Sequence, residues 1–145
     1  MKRWQRVGLG VALGVSALVV LLGAGLYVMA SIALSDLCGN TVVATEISPD
    51  RAMKAVLFER NCGATTGFSS QVSVLRADEE LPNEGGNVFA ANEGRGREAT
   101  SWGGPYVALQ WRNPRTLSLK VDSSADVRFS ADHLGEVAIV REGSP

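Results

Sequence analysis

The chain has 145 residues, 46% of them hydrophobic, and a formal net charge of −1 at pH 7. Three of its 14 Lys and Arg residues precede Asp36, so the other 11 face all 15 Asp and Glu residues, and residues 36–145 carry a net charge of −4. An acidic surface argues against a nucleic-acid ligand, and these 110 residues suffice for one small domain.

The first predicted element is a membrane helix over residues 7–34, a run without any charged side chain. A helix rises about 1.5 Å per residue, so roughly 20 apolar residues cross the hydrocarbon core of a bilayer. Lys2, Arg3 and Arg6 precede the run, and positively charged flanks stay in the cytoplasm. The predicted organisation is a cytoplasmic N-terminus over 1–6, a signal anchor over 7–34 and an exported domain over 35–145.

Other interpretations of this segment stay open. The apolar region of a cleaved signal peptide usually spans about 7–15 residues, so this run is long for one, although Val28-Met29-Ala30 and Ser31-Ile32-Ala33 have acceptable small-residue endings. Lipidation of Cys38 would require a small residue before it, and Leu37 stands there instead. A buried core helix would need partner helices, which the rest of the sequence does not predict.

The two cysteines, Cys38 and Cys62, both lie in the exported region, where an oxidising environment favours a disulfide over two free thiols. Thr41–Ile47 and Met53–Arg60 are predicted strands joined by a turn at Ser48-Pro49-Asp50, although a short helix is an alternative for the second. If Ile47 opposes Met53, the numbers of opposed residues add to 100. The same register places the two cysteines opposite each other. Two cysteines and a single histidine do not predict a metal site.

Residues 62–70 form the most distinctive polar stretch and are predicted to be a loop before a strand over Gln71–Leu75. A serine or threonine nucleophile needs a base held by a third group, and nothing places the single histidine, His133, near this loop. Hydroxyls in such turns more often satisfy backbone groups. We assign no catalytic residue, cofactor-binding residue or metal ligand. The candidate functional loop residues are Thr65, Thr66, Phe68 and Ser69, with Ser70 as a fourth hydroxyl.

The middle of the domain is predicted to be mostly loop. Residues 77–86 are acidic, but their spacing fits no EF-hand, so a solvated loop is preferred over a calcium site. A short strand over residues 87–90 precedes a long polar loop over 91–104. Its Gly94-Arg95-Gly96-Arg97 stretch lacks the ending of a phosphate-binding loop. Trp102 and Tyr106 flank a Gly-Gly-Pro turn and belong either to the core or to a partner-binding patch.

The last third predicts an antiparallel meander. Apolar residues alternate with polar ones over 107–111, 117–121, 127–129 and 137–139. In the three successive hairpins the residue numbers of opposed residues add to 228, 248 and 266, and each register keeps the apolar residues on one face. The first hairpin pairs Val107 with Val121, Leu109 with Leu119 and Trp111 with Leu117. Because the apolar face must be covered, we expect a sandwich or strongly bent sheet of about seven or eight short strands.

Residues 62–73, reading Cys-Gly-Ala-Thr-Thr-Gly-Phe-Ser-Ser-Gln-Val-Ser, resemble an uncharacterised family of small bacterial envelope proteins, a domain of unknown function. Its members also carry a Ser-Pro-Asp turn, matched by Ser48-Pro49-Asp50, followed by a glycine where this chain has Arg51. The resemblance extends over roughly Cys38 to Leu119, with further matches at Ala55–Arg60 and Asn87-Val88-Phe89. It implies a bacterial source and an envelope location, but no residue role.

Together these patterns predict a single-pass protein of the bacterial inner membrane with a periplasmic or extracellular β-domain. We expect a non-enzymatic interaction or structural module that binds an unknown envelope protein and needs no cofactor. The alternatives are a small hydrolase that uses a hydroxyl of residues 62–70 and a small-ligand sensor with a deep pocket. The sequence leaves the oligomeric state open.

Overall fold

The fold is taken from a computed structural model that describes residues 2–35, 37–63, 67–94 and 100–144. The chain divides into two units, Met1–Leu37 and Cys38–Pro145. The first unit contains helix α1 and the second contains the β-domain.

Helix α1 spans Arg3–Ser35, and its apolar part, Gly10–Ile32, has 23 residues. At about 1.5 Å per residue this part is roughly 34 Å long, enough to cross a hydrocarbon core of about 30 Å. Ser16 and Ser31 donate their hydroxyls to main-chain carbonyls within the helix, so these polar groups need no outside partner. Within the described residues it is the one helix long and apolar enough to span a membrane.

In the part of the β-domain that the structure describes there are nine short strands in two sheets, which confirms the predicted all-β architecture with one or two strands more than expected. The first sheet has the order β1-β2-β3-β4-β7, and the second has the order β5-β6-β9-β8. The strands are β1 Gly39–Ile47, β2 Met53–Asn61, β3 Ser69–Arg76, β4 Phe89–Asn92, β5 Val107–Asn113, β6 Thr116–Asp122, β7 Asp126–Ser130, β8 His133–Leu134 and β9 Val137–Ser144.

One hydrophobic core joins residues of both sheets, as the predicted sandwich requires. Its buried members from the first sheet include Leu57, Val72 and Phe89, and those from the second include Leu117 and Leu119. Strand β2 is buried on both faces: Ala55 and Leu57 join this core, and Phe58, on the alternate face, is also fully buried. The prediction of a central strand over Met53–Arg60, rather than a helix, is therefore confirmed.

The first hairpin brings the two cysteines together as predicted, but its register at the turn differs from the predicted one. At the turn, Ile47 opposes Lys54 rather than Met53, so the predicted register is wrong there by one residue. A bulge at Val43 then absorbs one residue of β1, and from Val42 outward the numbers of opposed residues add to 100 as predicted. Cys38 and Cys62 form a disulfide with an S–S distance of 2.06 Å.

The turn of this hairpin contains a backbone conformation that L-residues rarely adopt. Arg51 has a φ of 60°, in the left-handed region that glycine tolerates best. Ser48 is buried and organises the turn: its hydroxyl donates to Asp50 at 2.6 Å and accepts from the Met53 N–H at 3.0 Å. The turn therefore combines a satisfied polar network with local strain at one exposed arginine.

The C-terminal meander is confirmed in its first hairpin and wrong in the next two. Strands β5 and β6 pair in the predicted register from Val107 to Trp111, with Leu109 opposite Leu119, and the register shifts by one residue before Asn113. Strand β7 instead pairs with β4 in the first sheet, and β9 runs parallel to β6, with Leu117 opposite Ile139. Apolar alternation specifies the face that meets the core. Both sheets meet the same core, so alternation does not specify which sheet a strand joins.

A second bulge changes the faces of β7. Ala90 opposes Phe129 and Ala91 opposes Val127, so Arg128 is the additional residue. Val127 packs against the core, whereas Phe129, predicted to share its face, is 45% exposed. The predicted apolar face of this strand is therefore broken at Arg128.

Residues 77–88 fold back along β3. The side-chain amide of Asn87 accepts from the Val74 N–H at 2.8 Å and donates to the Val74 carbonyl at 2.9 Å, as a neighbouring strand residue would. Gly86 N–H donates to the Gln71 side chain, and Asn40 donates to the carbonyls of Pro82 and Glu84. The segment that the sequence predicts as a solvated acidic loop is thus fixed to the first sheet by specific hydrogen bonds.

Candidate functional site

In the described part of the predicted functional loop, the first serine, Ser69, is hydrogen-bonded to the main chain. Thr65 and Thr66 lie outside the described residues, so the structure bears on Phe68 and Ser69 only. Ser69 is buried, and its hydroxyl donates to the Arg60 carbonyl at 3.1 Å and accepts from the Gln71 side chain at 2.9 Å. This hydroxyl links strands β2 and β3.

The neighbouring hydroxyl of Ser70 is fully buried and also has both a hydrogen-bond acceptor and a donor as partners. It donates to the Pro105 carbonyl at 2.7 Å and accepts from the indole N–H of Trp102 at 3.0 Å. Nucleophilic activation requires a base that accepts the hydroxyl proton, and a main-chain carbonyl cannot serve as one. His133 is exposed on β8, in the other sheet. Ser69 and Ser70 therefore have the arrangement of structural hydroxyls.

Three aromatic residues lie on the two segments that meet at this end of β3, and we refer to Phe68, Trp102 and Tyr106 as the aromatic surface; Tyr106 follows Pro105, whose carbonyl accepts from Ser70. Phe68 is 43% exposed and Tyr106 is 44% exposed, whereas Trp102 is half-buried above Ser70. The turn between Trp102 and Tyr106 needs its glycines. A Cβ on Gly103, which has a φ of 87°, would lie 2.7 Å from the Phe68 ring.

The close approach continues at the next residue. A Cβ on Gly104 would lie 2.5 Å from the Ser70 hydroxyl oxygen and 2.8 Å from the Ser70 nitrogen. These two glycines allow residues 102–106 to lie directly on the beginning of β3. The sequence singles out Phe68, Trp102 and Tyr106 separately. The structure places Phe68 and Trp102 at the start of β3 and Tyr106 directly after Pro105, which is hydrogen-bonded to Ser70.

A second feature is a groove of about 450 Å³ between the end of β1 and strands β5 and β6. The indole N–H of Trp111 donates to the Glu46 carbonyl at 3.0 Å and bridges the two sheets there. Ile47 is 57% exposed at the groove. We call this feature the side groove; its lining is Glu46, Ile47, Pro49, Ala108, Leu109, Gln110, Trp111, Ser118, Lys120 and Glu142.

The side groove is a site that sequence reasoning missed. Half of its lining is polar or charged, and Glu46, Ile47, Gln110 and Lys120 are exposed. Such a mixed, accessible lining suits an extended polypeptide better than a small apolar ligand, which prefers an apolar pocket. The one sequence signal for this groove was Trp111, which the alternation places on the apolar face of its strand. The structure shows that this strand, β5, lies at the edge of its sheet.

The ionisable groups of the domain are mainly solvated. The pKa of Asp50 is lowered by the Ser48 hydroxyl and by the Ala52 N–H, which both donate to its carboxylate. The pKa of Asp78 is lowered by its hydrogen bond with Arg76, and both side chains are exposed. Among the described residues, no three His, Cys, Asp or Glu side chains are grouped as metal ligands would be.

Comparisons with protein-family models, curated proteins and solved structures found no match to this chain.

Proposed function

We propose that this chain is an inner-membrane anchor protein of a bacterial cell envelope whose exported β-domain binds an envelope protein and performs no chemistry. Three features support the location: the apolar helix over Gly10–Ile32, the basic residues that precede it, and the disulfide between Cys38 and Cys62. Disulfides persist in oxidising compartments, and basic flanks remain in the cytoplasm.

The observation that carries the binding function is the side groove. Strands β1 and β5 are edge strands of their sheets, and the groove lies beside both. An edge strand offers main-chain donors and acceptors, while Ile47 and Trp111 offer apolar contact. The exported region carries a net charge of −4, which favours a partner segment with basic residues. We assign the groove to an extended basic segment of an envelope protein.

A photo-crosslinking residue placed at Ile47 tests this assignment in native membranes. We expect a discrete cross-linked protein from position 47 and none from a control at Arg128, which is exposed on β7 at the opposite edge of the first sheet. Replacement of Trp111 by Ala should weaken the cross-link by removing part of the groove lining. No product from position 47, or identical products from both positions, would contradict the assignment.

Reporter fusions test the location independently. Alkaline phosphatase fused after the β-domain should be active and a fluorescent protein fused there should be dark, because only the phosphatase folds after export. The mass of the protein recovered from membranes distinguishes the uncleaved anchor from a cleaved signal peptide. An inactive phosphatase fusion would overturn the proposed orientation.

The described residues do not favour the other two candidate activities. The Ser69 and Ser70 hydroxyls donate to carbonyls, and half of the side-groove lining is polar or charged. Membership of the bacterial family that the sequence resembles also stays a proposal. It is supported by the left-handed conformation of Arg51, at the position where that family is expected to carry glycine.

A further inference from the structure

The disulfide and the aromatic surface share one end of the first sheet. Gly39 opposes Asn61 and Arg60 opposes Ser69, so the start of β1, the end of β2 and the start of β3 lie side by side. We call this the disulfide end. Cys38 and Cys62 immediately precede β1 and follow β2, and Phe68 immediately precedes β3.

Trp102 and Tyr106 belong to a segment held at the same end, since Tyr106 follows Pro105, whose carbonyl accepts from Ser70. Trp102 donates to Ser70, the second residue of β3, and the ring of Phe68 packs beside Gly103. The third tryptophan of the chain, Trp111, donates a hydrogen bond to the Glu46 carbonyl at the far end of β1. Seven residues of strand separate Gly39 from Glu46, which corresponds to roughly 23 Å.

Chain length restricts the distance between the disulfide end and a bilayer crossed by α1. Cys38 is the sixth residue after Ile32, where the apolar part of the helix ends. Six residues extend over at most about 22 Å. The disulfide adds Cys62, the residue that follows β2, to the restrained region.

We propose that the aromatic surface contacts the headgroup layer of the bilayer that anchors the chain, an inference that rests on the membrane location proposed above. Tryptophan and tyrosine concentrate at the membrane–water interface because their rings are apolar and their N–H and O–H groups are polar. The half-exposed rings of Phe68 and Tyr106 suit that layer. The net charge of −4 in residues 36–145 argues for contact with zwitterionic rather than anionic headgroups.

Fluorescence quenching in vesicles of phosphatidylcholine tests the contact with the full chain. One variant keeps only Trp102 (Trp4→Phe with Trp111→Phe), and its matched control keeps only Trp111 (Trp4→Phe with Trp102→Phe). Lipid spin-labelled near the headgroup should quench Trp102 at least about twofold more strongly than Trp111, since interfacial aromatic residues lie at headgroup depth. Equal quenching would overturn the proposal.

A second pair of variants separates contact from mere proximity. Phe68→Ser with Tyr106→Ser, introduced into the Trp102-only chain, should remove most of the excess quenching. If Phe68→Ser disturbs the fold, Tyr106→Glu alone provides the test, because it replaces an exposed ring and should also lower the excess quenching. Unchanged quenching in both would overturn lipid contact. Absence of any quenching, in a chain that still floats with the vesicles, would also overturn lipid contact.

Flotation distinguishes the two proposals. A chain that fails to float with vesicles would refute the membrane anchor itself, whereas a chain that floats without selective Trp102 quenching would refute only the lipid contact.

Discussion

Replacement of both cysteines by serine should cost the β-domain about 3.5 kcal/mol of its free energy of unfolding. Cys38 and Cys62 are 24 residues apart, and the chain-entropy relation for a loop of about 25 residues gives this value at 25 °C. Small domains have total stabilities of about 5–15 kcal/mol, so the loss is a large fraction. For 108 residues the unfolding entropy converts it to a decrease in melting temperature of about 15 °C.

The measurement is guanidinium unfolding of the full chain in detergent micelles, followed by tryptophan fluorescence. Reductant added to the natural chain should reproduce the loss measured for Cys38→Ser with Cys62→Ser, and it should leave that double variant unchanged. The reduced chain controls for any effect of the serine hydroxyls. A loss below about 1 kcal/mol would refute the reasoning, because the unfolded loop would then already be constrained without the disulfide.

Three further changes test the hydrogen bonds and the turn. Ser70→Ala should lower the free energy of unfolding by about 2 kcal/mol, since it leaves an indole N–H and a main-chain carbonyl without their partner, whereas the exposed control Ser123→Ala should change it little. Arg51→Gly should raise it by roughly 1 kcal/mol by relieving a left-handed conformation; a decrease would contradict that interpretation. The folded-state pKa of Asp50 is lowered from 3.8, so its stabilisation is present above that pH and is lost as the pH falls through the folded value. The natural chain should therefore lose more stability than Asp50→Asn between pH 5 and pH 2, and parallel profiles would refute the assignment.

Local pairing was predictable from the sequence because short turns leave few registers. The β5–β6 hairpin has the predicted pairing of Leu109 with Leu119, which the apolar alternation specifies, although the register shifts by one residue between Trp111 and the turn. The β1–β2 hairpin shows the limit of this reasoning. An error of one residue at Ile47 and a bulge at Val43 cancel, so the cysteines meet as predicted although the turn differs.

Pairing between distant strands was not predictable in the same way. Strands β7 and β9 carry apolar alternation that satisfies the core from either sheet, and the bulge at Arg128 has no local sequence signal. The aromatic surface depends on residues 102–106 lying on β3, a contact between segments about 32 residues apart. The side groove depends on β1 approaching β5 through Trp111 and Glu46. Neither site is encoded within one stretch of sequence.

The position of β9 has a consequence for the order in which the domain assembles. Among the described strands β9 is synthesised last, yet it lies between β6 and β8 and supplies Val137 and Ile139 to the core. The hairpin of β1 and β2 is local and can form, and oxidise, as soon as Cys62 is available. The second sheet must wait for β9, and until then β6 has an unpaired hydrogen-bonding edge. Folding is therefore divided in time, and the interval before β9 docks is when the growing chain is most exposed to aggregation.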